Sequence, residues 1–219
     1  MRAVVFDMDG LMINTEDVYT LAGTELLGRR GCCFTPELKD AMMGLPPRAS
    51  FNVMIQWCRL DETWEALARE SNEIFLGLLG RHLAVMPGLL DLLAALERAD
   101  IPKAIATSSG RQLAEACLVP LDLLGRFQFV LTSEDVVRGK PNPDVYLLAA
   151  QRLGLPPGEI VVLEDSRNGC LAAAAAGTLV VAVPGEHSRR HDFRVADHVV
   201  ASLADPKLYD VLGLRAEAS

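Results

Sequence analysis

Near the start of this chain of 219 residues lies the segment Ala3-Val-Val-Phe-Asp-Met-Asp-Gly10, on which the prediction of its architecture depends. Its first four residues form a short apolar run, which predicts a parallel strand that is buried on both faces. Two acidic residues, Asp7 and Asp9, follow directly where this strand ends. Because side chains alternate in direction along an extended chain, we expect both carboxylates to point the same way and Met8 to pack away from them.

Further apolar runs occur later in the chain and alternate with segments of helical periodicity. These runs cover residues 103–107, 129–132, 160–163 and 179–183. The helical segments cover residues 89–96, 111–118, 143–153 and 168–176, and the last two are followed by Gly154 and Gly177, a common signal of a helix end. Strands that alternate with helices predict an α/β fold, a doubly wound parallel sheet of the Rossmann-like type.

Residues 15–83 interrupt this alternation, because they contain no convincing strand. Helices are predicted over residues 15–27, 36–43, 50–58 and 61–79, with a turn at 44–47. A structureless connection of about 70 residues is unusual in a compact domain. We therefore expect an α/β core domain formed by residues 1–14 and 84–219, and an inserted α-helical cap domain formed by residues 15–83 over the working edge of the sheet.

The composition argues against several classes of protein. Aromatic residues make up only 5% of the chain, the formal net charge is −8 and the isoelectric point is near 5.0. Nucleic acids and anionic membrane surfaces repel such a chain, so neither is an expected partner. No apolar run reaches the roughly 18 residues that a membrane span requires. The five cysteines are an odd number without C-x-x-C spacing, which argues against a complete disulfide framework and favours a cytoplasmic location.

Polar residues follow several of the predicted strands at the point where each strand ends. Asp7 and Asp9 follow the first strand, Thr107-Ser-Ser-Gly110 follows the second, and Glu164-Asp165 follows the run at 160–163. The crevice of an open α/β sheet lies at the carboxyl ends of its strands, so these residues should converge. Clustered carboxylates are unfavourable without a cation, and an all-oxygen ligand set favours Mg²⁺.

Two further features suit the binding of phosphate. The segment Thr107-Ser-Ser-Gly110 lies where a strand gives way to a helix, a position that attracts anions, although an ordinary helix cap explains the same residues. Lys140, between Gly139 and Pro141, suits an ammonium group directed at phosphate, although most loop lysines are simply solvated. Together these groups favour phosphoryl transfer, in which one carboxylate attacks phosphorus and a second one exchanges a proton.

Four segments of the chain, in this order, resemble the four motifs of the haloacid dehalogenase (HAD) superfamily. They are Asp7-Met-Asp-Gly10, Ala106-Thr-Ser108, Gly139-Lys-Pro-Asn-Pro-Asp144 and Leu163-Glu-Asp-Ser166. The helical insert after the first motif is similar to that of the C1-capped subfamily I, which includes β-phosphoglucomutases, phosphoglycolate phosphatases and pseudouridine-5′-phosphatase-like enzymes. This likeness extends over nearly the whole chain.

The resemblance implies catalytic and phosphate-binding roles at the matching positions. Asp7 would be the nucleophile and a metal ligand. Asp9 would be the general acid and base, and would bind the metal through its carbonyl oxygen. The transferring phosphate would be held by Thr107, by Ser108 mainly through its backbone, and by Lys140.

The resemblance also implies metal ligands and residues of the cap. Asp165 would bind Mg²⁺, with Glu164 acting directly or through a water molecule. Tyr19 occupies the place where related mutases carry a histidine, which disfavours a mutase. Arg48 is either a substrate contact from the cap or a surface arginine. Asn14 stands where an aspartate is usual, a change that affects little of the chemistry.

The function predicted from this sequence is that of a Mg²⁺-dependent phosphatase. It would hydrolyse a small phosphomonoester, such as a sugar phosphate or a similar metabolite, through an aspartyl-phosphate intermediate, and it would be a monomer. The alternative is a phosphomutase of the β-phosphoglucomutase type. A non-catalytic phosphometabolite-binding protein and a phospho-accepting regulatory domain are further alternatives from a different class.

Overall fold

The computed structural model describes residues 1–42, 45 and 47–214, and its central feature is a six-stranded sheet in the order β3-β2-β1-β4-β5-β6. Every neighbouring pair of strands is parallel. The strands are β1 (Ala3–Phe6), β2 (Lys103–Ala106), β3 (Val130–Leu131), β4 (Ile160–Glu164), β5 (Leu179–Ala182) and β6 (His198–Val199). The predicted α/β fold with a doubly wound parallel sheet is therefore confirmed.

Strand β1 lies in the middle of the sheet, between β2 and β4. Phe6, its last residue, pairs with Ile105 of β2 and with Leu163 of β4. All residues of β1, β2 and β4 are buried, as expected for a parallel strand that is covered on both faces. This register brings the carboxyl ends of the three strands to the same edge of the sheet.

Helices cover the sheet and connect its strands. They are α5 (Leu89–Arg98), α6 (Arg111–Leu118), α7 (Asp144–Leu153), α8 (Arg167–Ala175) and α9 (Pro206–Val211), with short 3-10 segments at Leu124–Arg126, Ser133–Asp135 and Pro157–Glu159. One core cluster joins α7 and α8 to the sheet through small side chains, for example Ala104 and Ala149. Small residues allow helix and sheet to approach closely. The start of α8 lies beside the end of β4 because only two residues separate them.

The contacts within the chain divide it into two compact units, one formed by Met1–Asn14 with the chain from Ala84 onward, the other by Thr15–Leu83. The second unit contains α1 (Thr15–Gly28), α2 (Pro36–Met42), α3 (Pro47–Cys58) and α4 (Trp64–His82). Helices α1 and α4 pack together. Positions 43, 44 and 46, at the end of the helix predicted over 36–43 and in the turn predicted at 44–47, lie outside the described residues, as does the tail 215–219.

A disulfide links Cys32 and Cys58 within the second unit, and their Cα atoms are 6.2 Å apart. Cys33, Cys117 and Cys170 are free, and the last two are buried. The odd number of cysteines argued against complete pairing, which a single disulfide satisfies. It also favoured a reducing cytoplasm, which the Cys32–Cys58 disulfide does not support. The helix packing that brings Cys32 to Cys58 across 26 positions of the chain has no signature in cysteine spacing.

The described part of the chain contains no helix long and apolar enough to cross a membrane.

Two leucines of α5 provide a matched test of the core. Leu93 is fully buried, whereas Leu90 is 49% exposed. We predict that Leu93→Ala lowers the free energy of unfolding by about 3 kcal/mol, because it removes buried methyl groups and leaves a cavity, and that Leu90→Ala lowers it by less than about 1 kcal/mol. Urea unfolding followed by circular dichroism measures both values. Equal losses of unfolding free energy in the two variants would contradict the finding that α5 buries Leu93 and exposes Leu90.

Candidate active site

The loop after β1 carries the first two acidic residues of the site. The backbone N–H of Asp7 donates to the carbonyl oxygen of Leu163 at 3.0 Å, which extends the pairing of β1 and β4 by one residue. Asp7 is buried, and Met8 packs into the core. Gly10 then adopts a φ of +77°, and a β-carbon there would lie 2.6 Å from Oδ2 of Asp165. A glycine suits this position because a φ of +77° is strained for residues with a β-carbon, and that atom would also meet the Asp165 carboxylate.

Lys140, in the loop before α7, directs its ammonium group at three acceptors. Its Nζ donates to Oδ1 of Asp7 and to Oε1 of Glu164, each at 2.6 Å, and to the carbonyl oxygen of Ala106 at 2.9 Å. Its side chain is only 5% exposed, and its peptide bond to Pro141 is cis. Each of the three ammonium protons therefore has an acceptor, and two carboxylates face a single cation.

Burial and charge shift the pKa values inside this cluster. Burial disfavours the ammonium form of Lys140, but the carboxylates of Asp7 and Glu164 outweigh it and raise the pKa of Lys140 well above its usual value. Burial and the nearby Glu164 raise the pKa of Asp7, and Lys140 opposes this shift. Lys140 is therefore a cation at neutral pH, and a divalent cation beside Asp7 would favour the ionised form of that carboxyl group.

Glu164 is fully buried, and both of its carboxylate oxygens accept hydrogen bonds from the protein. Oε1 accepts from Lys140 and, at 2.7 Å, from the hydroxyl of Tyr146. Oε2 accepts from the backbone N–H of Ser166 at 3.2 Å and from its hydroxyl at 3.0 Å. A methyl group on Gly169, in α8, would overlap this carboxylate. The bonds to Lys140 and the close packing on α8 hold Glu164 in one place.

Three acidic residues form a candidate metal site at the ends of β1 and β4. Asp7, Glu164 and Asp165 each offer a carboxylate oxygen, and these atoms all lie within 4.8 Å of one another. All three residues are buried. Such a set of hard oxygen ligands with excess negative charge fits a hard divalent cation. Asp7 and Asp165 fit it better than Glu164, whose oxygens already accept four protein donors.

Asp9 is linked to the segment after β2. Its Oδ2 accepts hydrogen bonds from the hydroxyl of Thr107 at 2.8 Å and from that of Ser109 at 2.9 Å. The backbone N–H of Ser109 donates in turn to the Thr107 hydroxyl at 2.9 Å. Two strand ends are thus joined through one carboxylate.

A family model described as "Haloacid dehalogenase-like hydrolase" matches residues 4–183 of this chain. The chain belongs to the HAD-like hydrolase family. This match confirms the resemblance predicted from the four motifs.

Curated relatives of this HAD-like hydrolase carry the names of phosphatases. A probable pseudouridine-5′-phosphatase from Drosophila melanogaster is 37% identical over 212 residues, which cover 93% of this chain and 90% of the relative. A fructose-1-phosphate phosphatase from Escherichia coli is 35% identical, over 80% of this chain and 92% of the relative. A phosphorylated carbohydrates phosphatase from Thermotoga maritima is 32% identical, over 81% and 82%. This chain is accordingly a phosphoric monoester hydrolase.

Solved structures are similar to this HAD-like hydrolase over most of its length. CbbY from Rhodobacter sphaeroides, in complex with phosphate, has a TM-score of 0.80 and 28% identity, and the match covers 93% of this chain and 95% of that one. A candidate β-phosphoglucomutase from Thermotoga maritima has a TM-score of 0.82 and 29% identity, with 97% and 99% covered.

The remaining residues predicted for the site lie in different surroundings. Ser108 is exposed in the bend between β2 and α6. Tyr19 and Arg48 belong to the second unit. The ring of Tyr19 stacks on that of Phe75, with centroids 4.2 Å apart, and Arg48 is exposed in the first turn of α3. Substrate contacts through Tyr19 and Arg48 remain a prediction.

Three residues of the site were not identified from the sequence. Ser109 was part of the segment proposed to bind phosphate, but no pattern linked its hydroxyl to Asp9. Tyr146 lies in α7, where its apolar neighbours indicate only a core position. Ser166 stands next to the acidic pair, and its hydroxyl also accepts from Gly169 N–H at 3.0 Å as the N-cap of α8. The bonds of Ser109 and Tyr146 depend on packing between elements and leave no local sequence signal, whereas Ser166 is a local helix cap that its position before α8 could have indicated.

The close contact between Gly169 and Glu164 gives a direct test of the site. We predict that Gly169→Ala lowers the free energy of unfolding by about 3 kcal/mol, because the new methyl group must displace a buried carboxylate. Gly77→Ala is the matched control, since Gly77 also lies within a helix but faces open space. That change should raise stability by about 0.5–1 kcal/mol. Urea unfolding measures both, and a Gly169→Ala protein as stable as the unmodified one would exclude the described position of Glu164.

Proposed function

We propose that this hydrolase is a Mg²⁺-dependent phosphatase that cleaves a small phosphomonoester through an aspartyl phosphate on Asp7. The observation that supports it most is the pairing of Asp7 with Lys140 at 2.6 Å at the end of the central strand. A second carboxylate, Asp9, follows two residues later, and Asp165 lies beside the same loop. Nucleophile, proton carrier, cationic group and metal ligand are therefore available at one edge of the sheet.

Asp7 and Asp9 divide the chemistry between them. An oxygen of the Asp7 carboxylate attacks phosphorus, and the bond from phosphorus to the leaving oxygen breaks while Asp9 gives that oxygen a proton. In the second step Asp9 takes a proton from water. The water oxygen bonds to phosphorus, and the bond to Asp7 breaks. Inorganic phosphate leaves, and both side chains return to their starting states.

Hydroxyl groups hold Asp9 during these proton transfers. Thr107 and Ser109 both donate to its Oδ2. We propose that its other carboxyl oxygen, Oδ1, carries the proton to the leaving group. Holding one oxygen fixes the direction of the other, which lowers the entropy that must be lost before proton transfer.

Positive charge at the site stabilises the phosphoryl oxygens. Lys140 supplies a fixed ammonium group, and the backbone N–H of Ser108, before α6, is the donor that we propose for the same anion. Asp7 and Asp165, with the backbone carbonyl of Asp9, would hold Mg²⁺. When bound, Mg²⁺ supplies charge that neutralises phosphoryl oxygens and keeps Asp7 ionised.

The substrate class is proposed from the relatives and from the charge of the chain. The relatives are named for pseudouridine 5′-phosphate, fructose 1-phosphate and phosphorylated carbohydrates. We propose a phosphorylated sugar or a similar small metabolite, and neither a nucleic acid nor a membrane as partner. The helical unit Thr15–Leu83 is proposed to serve as the cap that selects the substrate, with Tyr19 and Arg48 among its contacts. We also propose that the enzyme is a monomer and that it is located in the cytoplasm.

A phosphomutase is the second candidate, because a candidate β-phosphoglucomutase is among the similar structures. Tyr19, in the place of the histidine of related mutases, disfavours it. Product analysis separates the two activities. A mutase would be activated by a sugar bisphosphate and would return an isomeric sugar phosphate, whereas a phosphatase releases inorganic phosphate in proportion to the substrate consumed.

We predict that the purified protein with Mg²⁺ releases inorganic phosphate from p-nitrophenyl phosphate and from members of a panel of sugar and nucleoside monophosphates. Excess EDTA should abolish the release, because the acidic cluster then lacks its cation, and added Mg²⁺ should restore it. A phosphate-detection assay measures the rates. Absence of release from every compound, with no effect of EDTA, would refute the proposed activity.

Replacement of the two aspartates should separate their roles. We predict that Asp7→Asn abolishes turnover, a loss on the order of 10⁴-fold or more, because an amide cannot form the intermediate. Asp9→Asn should lower kcat by about 10²–10⁴-fold, because only the proton transfer is lost. The exposed Asp210, in α9, provides the control Asp210→Asn, whose rate should not change. Thermal melts check that each variant is folded, and a folded Asp7→Asn protein with ordinary turnover would contradict the role of Asp7.

A further inference from the structure

Tyr146 has no part in the chemistry described above, yet its hydroxyl lies next to the site. The residue belongs to α7 and is 1% exposed. Its hydroxyl donates to Oε1 of Glu164 at 2.7 Å, the same oxygen that accepts from Lys140. Its ring lies beneath the ammonium group, with Nζ of Lys140 5.0 Å from the ring centroid.

The hydroxyl of Tyr146 completes the set of donors around Glu164. Each carboxylate oxygen now accepts two hydrogen bonds, from Lys140 and Tyr146 on one side and from the N–H and hydroxyl of Ser166 on the other. A carboxylate has about four acceptor positions, so this one is saturated. Its orientation is therefore fixed by groups on both sides, and so is the position of Oε1 against which Lys140 rests.

Lys140 needs such a fixed acceptor because one of its partners, Asp7, changes during the reaction. All three of its protons are used, by Asp7, Glu164 and the carbonyl of Ala106. When Asp7 becomes an acyl phosphate it loses its negative charge, and an N–H of Lys140 turns from Asp7 to a phosphoryl oxygen. The bonds to Glu164 and Ala106 are the ones that remain and set the direction of that N–H.

We propose that Tyr146 is a positioning residue for phosphoryl transfer, whose hydroxyl fixes Glu164 and through it the direction in which Lys140 meets the phosphate. This role rests on the proposed function. A residue that served only the stability of the core would make the same contacts, so the test must use measurements that stability alone does not change.

Tyr146→Phe is the direct test, because it keeps the buried ring and removes only the hydroxyl. We expect kcat to fall about fivefold with KM changed by less than about twofold, and the inhibition constant of inorganic phosphate to rise about threefold. The control is Tyr209→Phe in α9, a tyrosine of the same unit outside the site, whose kinetic constants should equal those of the unmodified enzyme. Folded Tyr146→Phe protein with unchanged kcat and phosphate inhibition would overturn the proposal, whatever its melting temperature.

A second variant decides the outcome if Tyr146→Phe does not fold at the assay temperature. Ser166→Ala removes the hydroxyl donor on the opposite oxygen of Glu164 and should give the same loss in kcat and the same weaker inhibition by phosphate. Unchanged kinetics in Ser166→Ala would then overturn the proposal.

Failure of the proposed function is recognised separately. If the unmodified protein hydrolyses no phosphomonoester, calorimetry with Mg²⁺ and inorganic phosphate takes the place of kinetics. About threefold weaker binding by Tyr146→Phe than by Tyr209→Phe then supports the positioning role, and equal binding overturns it. An unmodified protein that neither turns over substrate nor binds phosphate would overturn both proposals.

Discussion

The buried ammonium group of Lys140 is the constraint on which the rest of the site depends. An unpaired charge in the interior is strongly unfavourable, so hydrogen-bond acceptors must lie within bonding distance of this ammonium group. They come from three neighbouring strands: Ala106 ends β2, Asp7 follows β1, and Glu164 ends β4. Because β2, β1 and β4 are neighbours in the sheet, their three acceptors can all reach the ammonium group of Lys140. Fold and site are therefore two consequences of one topology.

The acidic residues at this edge fall into two groups with different surroundings. Glu164 is surrounded by hydrogen-bond donors and by α8, and it holds the ammonium group of Lys140 in place. Asp7, Asp9 and Asp165 surround the loop that Gly10 closes, where one carboxylate can react, one can carry a proton and one can help to hold a cation. Lys140 neutralises only part of the negative charge of these carboxylates, and a divalent cation would neutralise the rest.

Sequence reasoning predicted the parts of this arrangement that carry a local pattern. Buried apolar runs that end in acids predicted the strands and the convergence of Asp7 with Glu164, because parallel strands place their carboxyl ends together. It missed β6 and α9. The two residues of β6 include a histidine and show no apolar run like the one that revealed the equally short β3, and the six residues of α9 are too few to show helical periodicity. It also missed the Cys32–Cys58 link and the bonds of Ser109 and Tyr146, which arise only when distant elements pack.

The most direct test of an acyl phosphate at Asp7 is a crystal structure of the protein with Mg²⁺ and beryllium trifluoride, an analogue of a phosphoryl group bound to a carboxylate. We predict that beryllium is bonded to a carboxylate oxygen of Asp7, with a fluorine atom within hydrogen-bonding distance of Nζ of Lys140 and with Mg²⁺ bound by Asp7 and Asp165. Beryllium trifluoride bound at another residue, or an Asp7 that stays unmodified in a fully loaded crystal, would contradict the assignment of this carboxylate as the nucleophile.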